Sequence, residues 1–305
     1  MLFESIVIGM DFSEPAEKAA TWVVSAFARG ANVTLVHVID PPDRPRFDDG
    51  TLPAPKVIET AARDHARTQL DRLSELFAES APRTEIRIGK PHEEIARAAR
   101  DLGADLIVVG PHGGRPGRTR FLGTTADQLV RTAPVPVLVA TNPPAGEPRQ
   151  ILVPVDDAPI TPALLAEVRS IAEAFDAHVT LVHVWSNAVY SHVASMANIT
   201  SANEAEAQKA IDEDLRNAQK EWLAEAERAG LPRERVSIVV THGSSGDVTV
   251  ALAAERHSDL IAMGRRGAGR IAPALLGSTV GTVLSGAQCP VLVMTGASDA
   301  DGDRK

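Results

Sequence analysis

A glycine-rich segment that occurs twice is the feature of this sequence that most constrains its fold. Each copy follows an apolar run and shares three glycines at fixed offsets, with two residues between the first pair and nine between the second. The glycines at these offsets are Gly110, Gly113 and Gly123 in the first copy, and Gly264, Gly267 and Gly277 in the second. A hydroxyl pair comes next in each copy, Thr124-Thr125 and Ser278-Thr279. The copies stand 154 positions apart (110 to 264), which predicts two tandem domains of one kind.

A strand that is followed by a glycine loop and then by the start of a helix is typical of a phosphate-binding site. Positions without a side chain let backbone N–H groups approach an anion, and the helix N-terminus adds its dipole. Glycine-rich loops of this length at the carboxyl edge of a parallel sheet tend to bind ligands. In the alternative interpretation, the glycines only end strands, and Thr124 and Ser278 only cap helices. The sequence leaves that alternative open.

Both halves alternate short apolar strands with helical periodicity. In the first half we predict strands at 5–10, 31–39, 84–88, 105–110 and 135–140, and helices at 14–29, 56–79, 92–102 and 124–132. In the second half we predict strands at 150–155, 178–185, 235–240, 259–264 and 290–295, and helices at 160–175, 203–229, 246–257 and 278–286. This alternation predicts an α/β fold with two doubly wound, Rossmann-like parallel sheets.

The domain boundaries follow from composition. A Pro- and Gly-rich stretch, 142–149, is the predicted linker between domains at 1–141 and 150–296, and the polar tail 297–305 is expected to be disordered. The halves differ most in length and composition between their second and third strands. We expect those two segments, 40–55 and 186–203, to carry differences in specificity.

Composition excludes several classes of protein. A formal net charge of −9 argues against a nucleic-acid partner. No apolar run is long enough to span a bilayer, and the N-terminus does not resemble a secretion signal, so we expect a cytoplasmic protein with no membrane partner. The single cysteine, Cys289, fits a reducing compartment and a buried apolar role. An anionic ligand would need local backbone donors, and a divalent cation would assist its binding.

Four blocks of residues resemble one family, in the same order in both halves. In the first half they are Asp11-Phe-Ser-Glu after an apolar strand, Val-His-Val38, the glycine loop and Pro-Val-Leu-Val. This series resembles the universal stress proteins, in their tandem two-domain form. The resemblance implies five-stranded parallel sheets of order 3-2-1-4-5, of the adenine-nucleotide α-hydrolase-like type. It also implies ATP binding, as in the subgroup that keeps the glycines. We expect Mg²⁺ to accompany the phosphates, since the chain is acidic.

The resemblance assigns a role to each matched position. Asp11 and Asp156 would lie near the adenine or ribose, and Val38 and Val184 would offer backbone groups to the adenine edge. The glycines and the hydroxyl pairs would hold the phosphates. The positions implied to contact the nucleotide are Gly9, Asp11, Val38, Gly110, Gly113, Gly123, Thr124, Thr125, Pro154, Asp156, Val184, Gly264, Gly267, Gly277, Ser278 and Thr279. Gly9 departs from the proline that the family often has there and that the second half keeps as Pro154.

Several residues could instead have a structural role or simply face solvent. Asp11 and Asp156 could cap the following helices, and His37 and His183, inside apolar strands, are interpreted as structural. His112, Arg265 and Arg266 lie in the loops, where they could meet phosphate or solvent.

The expected function is therefore an ATP-binding sensor or regulator of the stress response, with at most slow hydrolysis and an unknown protein partner. A slow ATPase, a phosphoryl or nucleotidyl transferase, and a dimerisation scaffold with empty sites are the alternatives. The fifth strands, 135–139 and 289–293, are apolar edges. We predict that they pair antiparallel to form an intrachain pseudo-dimer; a homodimer of the whole chain is a further alternative.

Overall fold

The computed structural model describes residues 2–41, 55–113, 122–158, 160–186, 204–265 and 276–295. The chain divides into two compact units, Met1–Gly146 and Glu147–Lys305. The predicted tail and most of the two variable segments lie outside the described residues. None of the helices in the described ranges combines the length and apolar character that a membrane span requires.

The first unit alternates strands and helices from end to end. Its elements are β1 Ser5–Met10, α1 Glu14–Ala26, β2 Asn32–Ile39, α2 Pro55–Leu76, β3 Arg83–Ile88, α3 Pro91–Asp101, β4 Leu106–Val109, α4 Thr124–Thr132 and β5 Val137–Val139. The strands are parallel and lie in the order β3-β2-β1-β4-β5.

The second unit repeats this series. Its elements are β6 Gln150–Val155, α5 Thr161–Phe175, β7 His178–Ser186, α6 Glu204–Arg228, β8 Val236–Gly243, α7 Ser245–Glu255, β9 Leu260–Gly264, α8 Ser278–Gly286 and β10 Val291–Met294. The parallel order β8-β7-β6-β9-β10 reproduces that of the first unit. The predicted fold class is confirmed in both units.

The central strands are apolar on both faces because helices cover both sides of a parallel sheet. In β1 the side chains of Ile6, Val7 and Ile8 are fully buried, and β6 buries Leu152 and Val153 in the same way. The sequence therefore has continuous apolar runs at these strands instead of alternating apolar and polar residues.

Several predicted ends shift by up to three residues, among them the end of the helix predicted at 56–79, which closes at Leu76. Local contacts accompany two of the shifts. Helix α1 ends at Ala26, three residues early, and the chain then turns through Gly30 at a φ of 81°. Strand β8 extends to Gly243 because it stays paired with β7 up to Ser186. The predicted pairing between strands 135–139 and 289–293 stays a prediction.

One aspartate in each unit fastens the start of the fourth strand to the start of the first. The carboxylate of Asp105 accepts the backbone N–H groups of Glu4, at 2.7 Å, and Ser5, at 3.1 Å. Asp259 accepts those of Arg149 and Gln150, at 2.8 and 2.9 Å. Each carboxylate thus satisfies two donors that the sheet leaves unpaired.

We expect Asp105→Ala to destabilise the first unit by about 1–3 kcal/mol, because it leaves the partly buried N–H of Ser5 and the exposed N–H of Glu4 without an acceptor. Hydrogen exchange of the β1 amides measures this loss in the first unit alone. Asp71→Ala, at an exposed position of α2, is the control and should change the exchange rates little. Equal protection in both variants would contradict the anchoring role.

Candidate functional site

The turn after β1 places a carboxylate at the carboxyl edge of the first sheet. Oδ1 of Asp11 accepts the backbone N–H of Ser13 at 3.0 Å and its hydroxyl at 2.5 Å. Between them Phe12 adopts a left-handed conformation with a φ of 60°. Ser13 then caps α1 through Ala16 N–H. Asp11 therefore supports the cap through one oxygen, which leaves Oδ2 for another contact.

Gly113 of the glycine loop lies directly against that second oxygen. A Cβ built on Gly113 would sit 2.7 Å from Oδ2 of Asp11, which is closer than a carbon and an oxygen can approach. The structure thus brings together a residue that follows β1 and a residue that follows β4. These are the neighbouring strand ends at which the strand order reverses, the usual ligand position in such sheets.

The other two glycines of the loop also make close approaches. A Cβ on Gly110 would lie 3.2 Å from the backbone nitrogen of Ala16, at the start of α1. Gly123 donates its N–H to the carbonyl of Pro111 at 2.7 Å, and a Cβ there would lie 3.1 Å from Cα of His112. The described ends of the loop are therefore joined, while residues 114–121 lie outside the described residues.

Helix α4 begins at this junction with its first N–H groups open to a ligand. Gly123 occupies the N-cap position and supplies no side-chain hydrogen bond, and Asp127 N–H is the donor that bonds to the Gly123 carbonyl. The preceding helical N–H groups therefore have no helical acceptor. Thr124, the first residue of the helix, is exposed, and Thr125 is half-buried.

The second unit repeats the arrangement with one substitution. Oδ1 of Asp156 accepts Ala158 N–H at 3.1 Å, as Asp11 accepts Ser13 N–H. Ala158 has no hydroxyl, and Thr161 instead donates to the Asp156 carbonyl at 2.8 Å. Helix α8 begins at Ser278 after Gly277, again without a side-chain cap. Gly264 ends β9, and Thr279 follows Ser278 in α8. Gly267, Arg266 and most of the loop lie outside the described residues.

The second strands contribute valines and histidines to the same edges. Val38 and Val184 are half-buried near the ends of β2 and β7. Next to them, Nδ1 of His37 donates to the Met10 carbonyl at 2.8 Å, and Nδ1 of His183 donates to that of Val155 at 3.1 Å. Both imidazoles thus hold the end of the first strand, as the structural interpretation expects.

The pKa of His37 should lie below its ordinary value of 6.5, because burial of the ring penalises the imidazolium. The neighbouring His65 acts in the same direction, against the Met10 hydrogen bond and Asp11. A histidine NMR titration should therefore give a midpoint below 6.5.

The consequence for stability has a definite sign. As the pH falls below 6.5, the His37 imidazole is protonated in the unfolded chain before it is protonated in the folded one. The contribution of His37 to the free energy of unfolding is therefore complete above that pH and is lost on acidification. His37→Gln should lose less stability than the unmodified chain between pH 7.5 and 5.5. An NMR midpoint above 6.5, or an equal loss in the variant, would contradict this assignment.

Gly9 lies apart from the glycine loop, in the core between the sheet and α3. A Cβ on Gly9 would lie 2.8 Å from Cδ1 of Ile95 and 3.1 Å from Cγ1 of Val109. In the second unit the positions of Gly9 and Ile95 hold Pro154 and Thr249. Thr249 is fully buried and donates to the Ser245 carbonyl at 2.6 Å. In the second unit the strand residue, Pro154, is thus larger than Gly9, and the helix residue at the matching position, Thr249, is smaller than Ile95.

A large cavity lies at the carboxyl edge of the second unit, between α5, α6 and the ends of β6 and β7. Its volume is about 810 Å³. The described residues that line it are Asp156, Asp157, Ala158, Thr161, Pro162, His183, Trp185, Asp214, Asn217, Ala218, Glu221, Trp222, Glu225 and Arg228. Sequence reasoning predicted the helix that became α6 but did not identify this wall. The spacing of Asp214, Glu221 and Glu225 along one helical face was the available signal.

Comparison with known proteins supplies the family. The sequence model of the universal stress protein family matches residues 2–141 and again 147–295. A universal stress protein of Mycobacterium tuberculosis strain H37Rv is 28% identical over 304 residues, which cover 94% of this chain and 95% of the relative. One from Thermus aquaticus is 32% identical over 142 residues, 45% of this chain and 98% of the relative.

The structural comparison agrees on the fold. A universal stress protein from Archaeoglobus fulgidus superimposes with a TM-score of 0.67 at 19% identity, covering 97% of both chains. Two matches to the family model account for nearly the whole sequence, one in each unit. The chain therefore belongs to the universal stress protein family and carries two such domains in tandem.

Proposed function

We propose that this chain binds ATP at the carboxyl edge of each sheet and acts as a nucleotide-dependent sensor or regulator. The observation that carries the proposal is the approach of Gly113 to Asp11 beside the uncapped start of α4. A single methyl group at Gly113 would occupy the space between the carboxylate and the loop. The site is therefore built around backbone groups, as a phosphate cradle requires.

The two ends of the nucleotide have separate supports in this proposal. The open N–H groups of α4, with Thr124 and Thr125, face the phosphates, and the loop glycines allow close approach. Asp11 and the backbone of Val38 lie on the β1–β2 side, where they would hold the ribose and the adenine edge. In the second unit Asp156, Val184, Gly264, Gly277, Ser278 and Thr279 have the corresponding roles.

Magnesium would come with the nucleotide. Among the described residues no group of three or more histidine, cysteine, aspartate or glutamate side chains is placed to hold a metal ion. Mg²⁺ retains several waters and is commonly bound through phosphates and one or two carboxylates. The ion would offset the repulsion between the triphosphate and a chain with a net charge of −9.

Two described polar groups at this edge hold structure, which supports slow hydrolysis. The hydroxyl of Ser13 donates to Asp11, and Nδ1 of the half-buried His37 donates to the Met10 carbonyl. Neither of these two atoms is therefore free to take a proton from an attacking water, the role that a fast ATPase requires. The proposed role is to bind, orient and retain the nucleotide, so that a partner protein reads the bound state.

Mass spectrometry of the ligand released from the purified, denatured protein tests the proposal. We expect ATP or its hydrolysis product ADP, and we expect the ATP-free protein to bind ATP with Mg²⁺ in calorimetry. Turnover should be slow under single-turnover conditions. A protein that neither retains nor rebinds adenine nucleotide would overturn the proposal and favour a scaffold with empty sites. Fast multiple turnover would favour the enzyme alternative.

A further inference from the structure

The turn after the first strand holds an aromatic residue in one unit and an acidic residue in the other. Asp11 and Asp156 occupy matching positions, so Phe12 corresponds to Asp157. Phe12 is half-buried, and its left-handed backbone, with a φ of 60°, is spanned by the hydrogen bond from Ser13 N–H to Asp11. Asp157 is exposed. This position is next in sequence to the carboxylate proposed to hold the ribose or the adenine, so the size of its side chain bears on what each site admits.

In the first unit the Phe12 ring bridges the sheet and α2. It stacks on His37 of β2, with ring centroids 4.4 Å apart and planes 25° apart. It also meets His65 of α2 in a T-shaped contact, with centroids 6.3 Å apart. One side chain thus contacts both walls of the space at the end of β2. A ligand group could enter that space only by displacing the ring from both of its aromatic partners.

In the second unit the corresponding space is the cavity between the sheet and α6. Asp157 lines it in place of the phenylalanine, and His183 is covered instead by Trp222 of α6, with ring centroids 5.2 Å apart. Trp185, half-buried near the end of β7, lines the same cavity. The volume of about 810 Å³ lies towards the upper end of the range for small-molecule sites, about 300–1,000 Å³. The second unit therefore has an open space walled by two indole rings where the first unit has a side chain.

We propose that Phe12 and Asp157 set the size of nucleotide that each site accepts, so that only the second site binds an adenine nucleotide with a further planar aromatic group on its ribose. This inference rests on the proposed nucleotide function and names the class of ligand that separates the two sites. In the second unit the added group would pass Asp157 and lie against the indole rings, because aromatic rings pack favourably on one another. In the first unit it would meet the Phe12 ring, and such a clash excludes a ligand.

Calorimetric titration of the full chain with ATP and with its 2′/3′-O-(N-methylanthraniloyl) derivative, each with Mg²⁺, tests the proposal. We expect ATP at two sites per chain and the derivative at one, with the affinity of the other site for the derivative at least about tenfold lower. The derivative at two sites of equal affinity would overturn the proposal, and so would its absence from both sites while ATP still binds. Failure of ATP itself to bind would overturn the proposed function, and this inference with it.

Exchange of the two residues makes the test reciprocal. Phe12→Asp introduces the residue of the second unit, and aspartate tolerates a left-handed backbone, so the derivative should then bind at two sites. Asp157→Phe should remove the one site that the unmodified chain has for the derivative. Because Asp157 is exposed, this variant should fold, and it tests the proposal even if Phe12→Asp does not fold.

Two matched variants separate size from other effects. Phe12→Tyr keeps the ring, and Asp157→Asn removes the charge but keeps the size, so each should bind the derivative at one site, as the unmodified chain does. Unchanged binding of the derivative by Asp157→Phe would overturn the proposal. Equal loss in Asp157→Asn would overturn it too, because the charge of the residue and not its size would then decide.

Discussion

Gly113→Val combined with Gly267→Val is expected to abolish ATP binding while the protein stays folded. In the first unit the added side chain would enter the space between the loop and Oδ2 of Asp11, where even a Cβ atom would lie at 2.7 Å. Gly267 is the matching residue of the second copy and lies outside the described residues. Gly113→Ala alone should lower the affinity of the first site at least about tenfold, or 1.4 kcal/mol. Calorimetry with ATP and Mg²⁺ measures both effects.

Gly146→Val is the control for a glycine replaced by a branched residue. A Cβ on Gly146 meets no other atom within 4 Å, so this variant should bind ATP as the unmodified chain does. Undiminished ATP affinity in the folded double variant would show that the glycine loops do not form the phosphate site. Equal loss in the control would point to a general effect on folding.

Gly9→Ala is expected to destabilise the first unit by about 1–3 kcal/mol, the usual cost of overpacking a core. The new methyl group would lie 2.8 Å from Cδ1 of Ile95, and the packed helix α3 limits relaxation. Ile95→Val removes that atom. The double variant Gly9→Ala with Ile95→Val should therefore be about 1 kcal/mol more stable than the sum of the two single destabilisations predicts. Hydrogen exchange of the β1 amides measures the stability of the first unit.

The same variant separates packing from binding at Gly9. The resemblance to the family implies a backbone contact there, and a methyl group directed at Ile95 leaves that backbone in place. ATP affinity should therefore change little in Gly9→Ala. Simple additivity of the two substitutions would contradict the packing role, and a large loss of affinity without loss of stability would assign Gly9 to the site.

The sequence predicts the fold well because the periodic patterns repeat. Apolar runs such as Ile6 to Ile8 and the glycines after them mark the same elements twice, and the two series agree to within a few residues. Side-chain contacts between elements that are distant in the sequence could not be predicted in this way. The contact of Gly113 with Asp11 joins two loops that are about a hundred residues apart, and no local pattern contains it. The contact of Gly9 with Ile95 is of the same kind.

The acidic cavity was missed for a related reason. Asp214, Glu221 and Glu225 look like ordinary solvated charges on an amphipathic helix, since that is how such residues usually occur. Only the contact of Trp222 in α6 with His183, which the tertiary fold creates, brings this face to the wall of a cavity. The differences between the two units thus arise where helices meet the sheet, and the repeated blocks carry what the units share.

Backbone amide NMR of the full chain, titrated with ATP and Mg²⁺, tests the central claim most directly. The account predicts that the largest shifts fall on residues 124–126 at the start of α4 and residues 278–280 at the start of α8, with Gly113 also affected. In the Gly113→Val variant the shifts at 124–126 should disappear while those at 278–280 remain. Shifts confined to other surfaces, or no shifts at saturating nucleotide, would contradict the claim that these helix starts hold the phosphates.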